Sequence, residues 1–130
     1  MGLFRNAFEY ERFLASKAKQ PKAGDDAVPA GGETKLQREI KDFCNAQHPQ
    51  WKFINPRSDV ESTIAEGAQD FTIFLPGGRV VCIECKTKTG KLSIDQLAWR
   101  HQMEALGHTV HLVRSMNDFR TILAQLNQDS

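Results

Sequence analysis

Three side chains have the types and the spacing for chemistry at one place: Asp70, Glu84 and Lys86. Asp70 opens an apolar run, Phe71 to Leu75. A Pro76-Gly77-Gly78 turn follows, and then a second run from Arg79 to Lys86. Two apolar runs around a two-glycine turn predict a β-hairpin. Side chains alternate faces along a strand, so Glu84 and Lys86 project to one side, about 6–7 Å apart along the chain. Two acids and a lysine then converge at one end of a small sheet. Two carboxylates suit a hard divalent cation such as Mg²⁺, which takes one or two carboxylates plus waters. A lysine beside them can position a water or offset charge on a phosphate. The competing expectation is that Glu84 and Lys86 form an exposed pair on a strand. Their place at the end of an otherwise apolar strand argues against it.

The elements that must position these groups can be read from periodicity. Leu36, Ile40, Phe43 and Cys44 recur at helical intervals, and Glu33, seven residues before Ile40, shares their inward stripe. Trp51 to Asn55 predicts a first strand. Ser93 and Gln96 have the spacing of a capping box that starts a helix through Leu97, Trp99, Met103 and Leu106, closed by Gly107. Thr109 to Val113 predicts a short strand. A last amphipathic helix starts at a second capping box, Ser115 to Asp118, and carries Phe119, Ile122, Leu123 and Leu126, with fraying expected from Gln125. The order helix, strand, strand, strand, helix, strand, helix predicts an α/β fold with a mixed sheet flanked by helices. Arg57 to Glu66 is polar and reads as a loop.

The chain of 130 residues suffices for one core. It divides into residues 1–32 and 33–130. The first part has apolar residues at Leu3, Phe4, Ala7, Phe8, Phe13 and Leu14 in helical spacing, then a stretch rich in Pro, Gly and Ala that reads as a flexible linker. No apolar run approaches the 18 residues of a membrane span and no secretory signal is apparent, so a cytoplasmic, intracellular protein is expected. The net charge of +1 does not announce a nucleic-acid binder. Lys86, Lys88, Lys91 and Arg100 nevertheless cluster after the second run, where they can track a phosphate backbone. Three cysteines without a signal argue against a disulfide framework. Cys82 and Cys85 form a C-x-x-C, but residues three apart on a strand face opposite sides, which excludes a shared zinc ion.

Taken together, Gly67-x-x-Asp70, the hairpin, Ile83-Glu84-Cys85-Lys86, Gly90-Lys91-Leu92-Ser93-x-x-Gln96-x-x-Trp99 and Gly107-x-x-Val110 resemble the VRR-NUC domain of the PD-(D/E)xK nuclease superfamily. The resemblance runs from about Glu33 to Leu126. It implies a restriction-endonuclease-like sheet and a catalytic set of Glu33, Asp70, Glu84, Lys86 and Gln96. It further implies Mg²⁺ or Mn²⁺ held by Asp70, Glu84, Glu33 and the main-chain carbonyl of Cys85. Lys88, Lys91 and Arg100 are the expected DNA-backbone contacts. The residue before the aspartate is often proline in that family and is Gln69 here. Short stand-alone members are similar to Holliday-junction resolvases. The implied activity is therefore cleavage of four-way junctions or other branched DNA by a homodimer. The alternative is a nuclease-like DNA-binding or assembly module without turnover.

Overall fold

A computed structural model describes residues 23–47, 50–56 and 67–128. Its elements follow the expected order: α1 (Glu33–Ala46), β1 (Lys52–Ile54), β2 (Phe71–Leu75), β3 (Arg79–Cys85), α2 (Ile94–Ala105), β4 (Val110–Val113) and α3 (Met116–Gln128). The four strands form one mixed sheet in the order β1-β2-β3-β4. The first two pairings are antiparallel and β3–β4 is parallel. That parallel pair is joined through α2, as a crossover must be. No helix among the described residues is long and apolar enough to cross a membrane. The expected loop of residues 57–66 and the N-terminal segment 1–22 lie outside the described residues.

Strand alternation decides what each face carries. Phe71, Ile73, Leu75, Val81, Ile83, Cys85 and Val113 point to one face. There they close a core with Leu36, Ile40 and Cys44 of α1 and Phe119 and Ile122 of α3. Phe43 meets Phe119 edge-on at 5.6 Å between ring centroids and Trp51 at 5.9 Å, so α1, α3 and the residue before β1 share one aromatic cluster. Burying a ring such as Phe71 or Phe119 completely contributes about 2–3 kcal/mol. On the opposite face, over β4 and the end of β3, Leu92 and the α2 residues Leu97 and Ala98 pack with Leu112, while Ile54, Phe74 and Val80 are exposed. From Val81 onward β3 is thus buried on both sides, and that is why it reads as a nearly continuous apolar run.

The turns follow their residues. Gly77 and Gly78 take φ of +80° and +75°, the left-handed region the hairpin turn requires. Ser93 accepts from the Gln96 N–H and Gln96 Oε1 accepts from the Ser93 N–H, a complete capping box. At the other end of α2, the His108 N–H reaches Met103 O and the Gly107 N–H reaches Glu104 O, which is a Schellman closure.

Four expectations need adjustment. The first strand is shorter than Trp51 to Asn55. The last helix continues to Gln128 rather than loosening at Gln125. At its start the Asp118 N–H donates to Ser115 Oγ, but the returning Asp118 carboxylate takes the Arg114 N–H instead of that of Ser115. Residues 23–32 are also stitched to the core. The Val28 N–H donates to Arg114 O, and Val28 O accepts from the Lys88 N–H at 2.6 Å. Asp26 takes the Ser115 hydroxyl.

Cys82 and Cys85 lie on opposite faces of β3, both buried, with Cys85 in the main core and Cys82 outside it. All three thiols among the described residues are free. Protein purified without chelator is expected to carry no stoichiometric zinc. Stoichiometric zinc by metal analysis, lost in a Cys82→Ser, Cys85→Ser double variant, would overturn that expectation.

A candidate metal centre at the end of β2 and β3

The register of β2 on β3 builds the site. Phe71 pairs with Ile83, so the next position outward sets Asp70 opposite Glu84. Cross-strand neighbours of this kind have Cβ atoms about 5 Å apart. Asp70 is fixed from two sides. Its Oδ2 accepts the Cys85 N–H at 2.9 Å, and its main-chain O accepts from Asn55 Nδ2 at 2.6 Å. Glu84 is only 3% exposed. Its Oε1 accepts from Gln96 Nε2 at 2.9 Å, while Oε2 is buried with no hydrogen-bond partner. Gln96 therefore does two things with one amide: its oxygen caps α2 and its nitrogen holds Glu84.

The electrostatics show how closely these groups are gathered. Burial first, then the Asp70 charge, push the Glu84 carboxyl from 4.5 up to about 9; Lys86 opposes, while Glu33 and a hydrogen bond with Asp70 add to the rise. Burial also raises Asp70, against the Cys85 N–H, a hydrogen bond with the Glu84 side chain and Lys86, which favour its charge. Glu33 is raised by burial and by Asp70, with Lys86 and a hydrogen bond from Gln37 working the other way. The Cys85 thiol is pushed up by burial and by all three acids, so it stays protonated. Three acids and one lysine thus feel one another at the same end of the sheet, while the site as a whole is partly desolvated.

Whether these residues fit a divalent cation can be tested on their own atoms. Glu84 Oε2 is buried with no amide or backbone donor, and the Glu84 and Asp70 carboxyls meet, so a proton or a cation has to lie between the two acids. Asp70 stands across the strand pair with one oxygen committed to Cys85. Among the described residues no three His, Cys, Asp or Glu side chains gather as a complete metal cage. Asp70 and Glu84 remain as a pair of facing carboxyls, a donor set that would suit Mg²⁺ or Mn²⁺ with retained waters. Glu33, expected as a ligand, sits within the field of Lys86 and Asp70 and is bonded to Gln37. Cys85 turns its side chain into the core, so only its main chain faces the centre.

The basic residues separate into two kinds. Lys86 follows β3 directly; its N–H donates to Val113 O, extending the ladder by one step. Lys88 and Lys91 are exposed on the connection to α2. Arg100 lies further along α2, half-buried, with Nε 3.4 Å from Glu104 Oε1. It lines a small cavity together with Gln69, Glu84, Leu92, Gln96, Val110 and Leu112.

Several residues that matter here carried no chemical signal in the sequence. Gln69 donates to Thr72 Oγ1 at 2.8 Å and accepts from Trp99 Nε1 at 2.7 Å. It ties the approach to β2 to the middle of α2, a function proline could not serve. Gly67 has φ of +82°, and a Cβ there would stand 2.1 Å from Asp95 O. The loop that delivers Asp70 is thus pressed directly onto the first turn of α2. Arg114, 6% exposed, donates to Thr87 O and to Gly90 O at 2.7 Å, fixing the turn that carries Lys88. Its position between Val113 and Ser115, at the end of an apolar strand, was the one available hint.

Comparison with known proteins finds no matching family model, no matching curated protein and no matching solved structure.

Proposed function

We propose that this chain is a divalent-metal-dependent DNA endonuclease of the VRR-NUC type, built on a restriction-endonuclease-like sheet and acting on branched DNA, foremost four-way junctions. The observation that supports this most is the pairing of Asp70 with Glu84, whose Oε2 is buried and unpartnered, directly beside Lys86. The metal would be Mg²⁺ or Mn²⁺, held by Asp70, Glu84 and the main chain at Cys85. When bound, it supplies Lewis-acid polarisation of a phosphate oxygen and a water of lowered pKa.

The chain's own groups do the rest. Gln96 holds the Glu84 carboxylate in one orientation, and the Cys85 N–H does the same for Asp70, so neither acid has to reorganise. Lys86 orients the attacking water or offsets the negative charge that accumulates on the phosphate. Lys88 and Lys91 contact the backbone, which positions DNA without reading its sequence. Symmetric incision of a junction requires two such centres at a fixed distance, and a C₂ homodimer supplies them.

The test is cleavage of labelled duplex, flap and four-way-junction DNA with Mg²⁺, Mn²⁺ or EDTA, with light scattering for mass. Branched substrates are expected to be cut in metal and not in EDTA. Metal-insensitive binding with no cut in any substrate would replace the enzyme by a DNA-binding module. A monomer making paired, symmetric cuts would remove the homodimer.

Lys86→Ala isolates the lysine. It is expected to keep the fold and to bind Mn²⁺ within about threefold of the parent. Cleavage should fall about 10²–10³-fold, the effect of removing one preorganised charge from a transition state. Junction cleavage at the parental rate would make Lys86 structural.

A further inference from the structure

Lys86 is a long, flexible side chain, and a four-carbon stem keeps its head in one place only against a wall. Its charge is felt by Glu33, Asp70 and Glu84, so the head lies among the three acids. The stem runs alongside Gly90: a Cβ built on that glycine would stand 3.5 Å from Lys86 Cδ. Gly90 is brought there by a tight turn over residues 87–90. Its N–H donates to Thr87 O at 3.2 Å and to Thr87 Oγ1 at 3.1 Å. The shape of this turn therefore sets the wall that the lysine leans on.

Arg114 holds the turn from inside the protein. Its Nη1 donates to Thr87 O and to Gly90 O at 2.7 Å, the first and last carbonyls of the turn. The side chain is 6% exposed, and Nε is buried with no partner among the described residues. Burying a guanidinium is costly, and this one commits its bonds to the main chain of a single turn. A strap closes the arrangement. The Val28 N–H donates to Arg114 O at 2.8 Å, Val28 O accepts from the Lys88 N–H, and Asp26 takes the hydroxyl of Ser115.

We infer that Arg114 is a positioning residue for Lys86: by clamping the Thr87 and Gly90 carbonyls it shapes the turn against which the lysine stem packs, and so sets where the ammonium stands among the acids. The part that Lys86 takes in phosphodiester cleavage rests on the nuclease reading; its placement by Arg114 does not.

The experiment reads the lysine directly, by NMR of the metal-free full chain carrying ¹³C at lysine Cε. Lys86 is assigned by the loss of its signal in Lys86→Arg. Its Cε order parameter is expected to exceed those of the exposed Lys88 and Lys91. In Arg114→Met, close in length and without donors, it should fall to their level. A folded Arg114→Met with an unchanged Lys86 signal would overturn the inference. So would a parental Lys86 as mobile as Lys88. Gly90→Val is the second variant. Gly90 lies outside both core clusters and has no positive φ, so the backbone accepts a side chain. The added methyls take the room of the Lys86 stem, and the Lys86 signal should shift and lose order. No change in Gly90→Val would overturn the inference even where Arg114→Met does not fold.

Junction cleavage reads the consequence. Arg114→Met is expected to lower kcat about 10²-fold, the cost of misplacing a reacting group by about 1 Å, with KM within about threefold of the parent. In the Lys86→Ala background the same substitution should cost less than about threefold more, because the group it positions is gone. Losses that multiply would overturn the inference and leave Arg114 a structural residue. A parent that cuts no DNA would remove the nuclease reading, and the order parameters would still decide the role of Arg114.

Discussion

Glu84→Gln is expected to stabilise the metal-free protein while abolishing its response to metal. The buried carboxyl has its pKa raised from 4.5 to about 9 by desolvation, then by Asp70. A group whose folded pKa lies above its unfolded one binds its proton more tightly in the native state. That contribution is fully present below pH 4.5 and is lost as pH rises towards 9. Asp70 and Glu33 are raised as well and act with the same sign. Stability of the metal-free protein should therefore fall between about pH 5 and 9. At pH 8 keeping Glu84 in place costs on the order of 4 kcal/mol. Glutamine is neutral and nearly isosteric, and its oxygen still accepts from Gln96. The variant should melt at least about 5 °C higher than the parent at pH 8 without metal, and its advantage should vanish near pH 4.

The same substitution removes one of the two carboxylates that would hold Mg²⁺ or Mn²⁺. Excess Mn²⁺ should raise the parent's Tm, by about 2.7 kcal/mol of stability at a hundredfold excess over Kd, and leave the variant unmoved. Junction cleavage should drop at least about 10³-fold, the several kcal/mol that metal assistance supplies. Melting curves at pH 4 and 8, with and without Mn²⁺, check both halves. A variant less stable than the parent at pH 8 would mean that Glu84 is ionised and well solvated. A retained Mn²⁺ shift would take the metal away from this site.

The second large effect is expected at Gly67, some distance from any chemistry. An added Cβ would lie 2.1 Å from Asp95 O and 2.4 Å from its carbonyl carbon, both backbone atoms that cannot rotate aside. The positive φ adds strain of about 1 kcal/mol or more for a residue with a side chain. Gly67→Ala should therefore destabilise by about 3 kcal/mol or more and, where it still folds, move Asp70 and Gln69 off the first turn of α2. Positioning errors of about 1 Å cost on the order of 10²-fold in rate. Gly77→Ala is the matched control: its φ is also positive, at +80°, but nothing lies within 4 Å of its Cβ. It should lose only about 1 kcal/mol and keep full activity. Chemical denaturation of the two variants separates strain from collision. Equal losses would mean that the loop at Gly67 moves freely away from α2.

What the sequence determined by itself was local and periodic. The hairpin, the capping box of α2 and the order of all seven elements follow from alternation, helical spacing and turn residues, which act over a few positions. The candidate site was legible for the same reason: Asp70 flanks the hairpin, Glu84 and Lys86 end its second strand, and pairing across a short turn fixes their meeting. The lengths of β1 and α3 were not legible, because pairing partners and packing set where an element stops.

Tertiary structure alone decided how the centre is held. The bond from Gln96 to Glu84, the hold of Gln69 on Trp99 thirty residues away, and the grip of Arg114 on Thr87 and Gly90 are all non-local. So is the contact of Gly67 with Asp95. Such contacts arise only when α2 folds back over the sheet, and no short-range pattern encodes them. The burial that lifts Glu84 has the same origin. Its place at the end of an apolar strand argued against an exposed Glu84, but only the crossover helix that covers it removes the water.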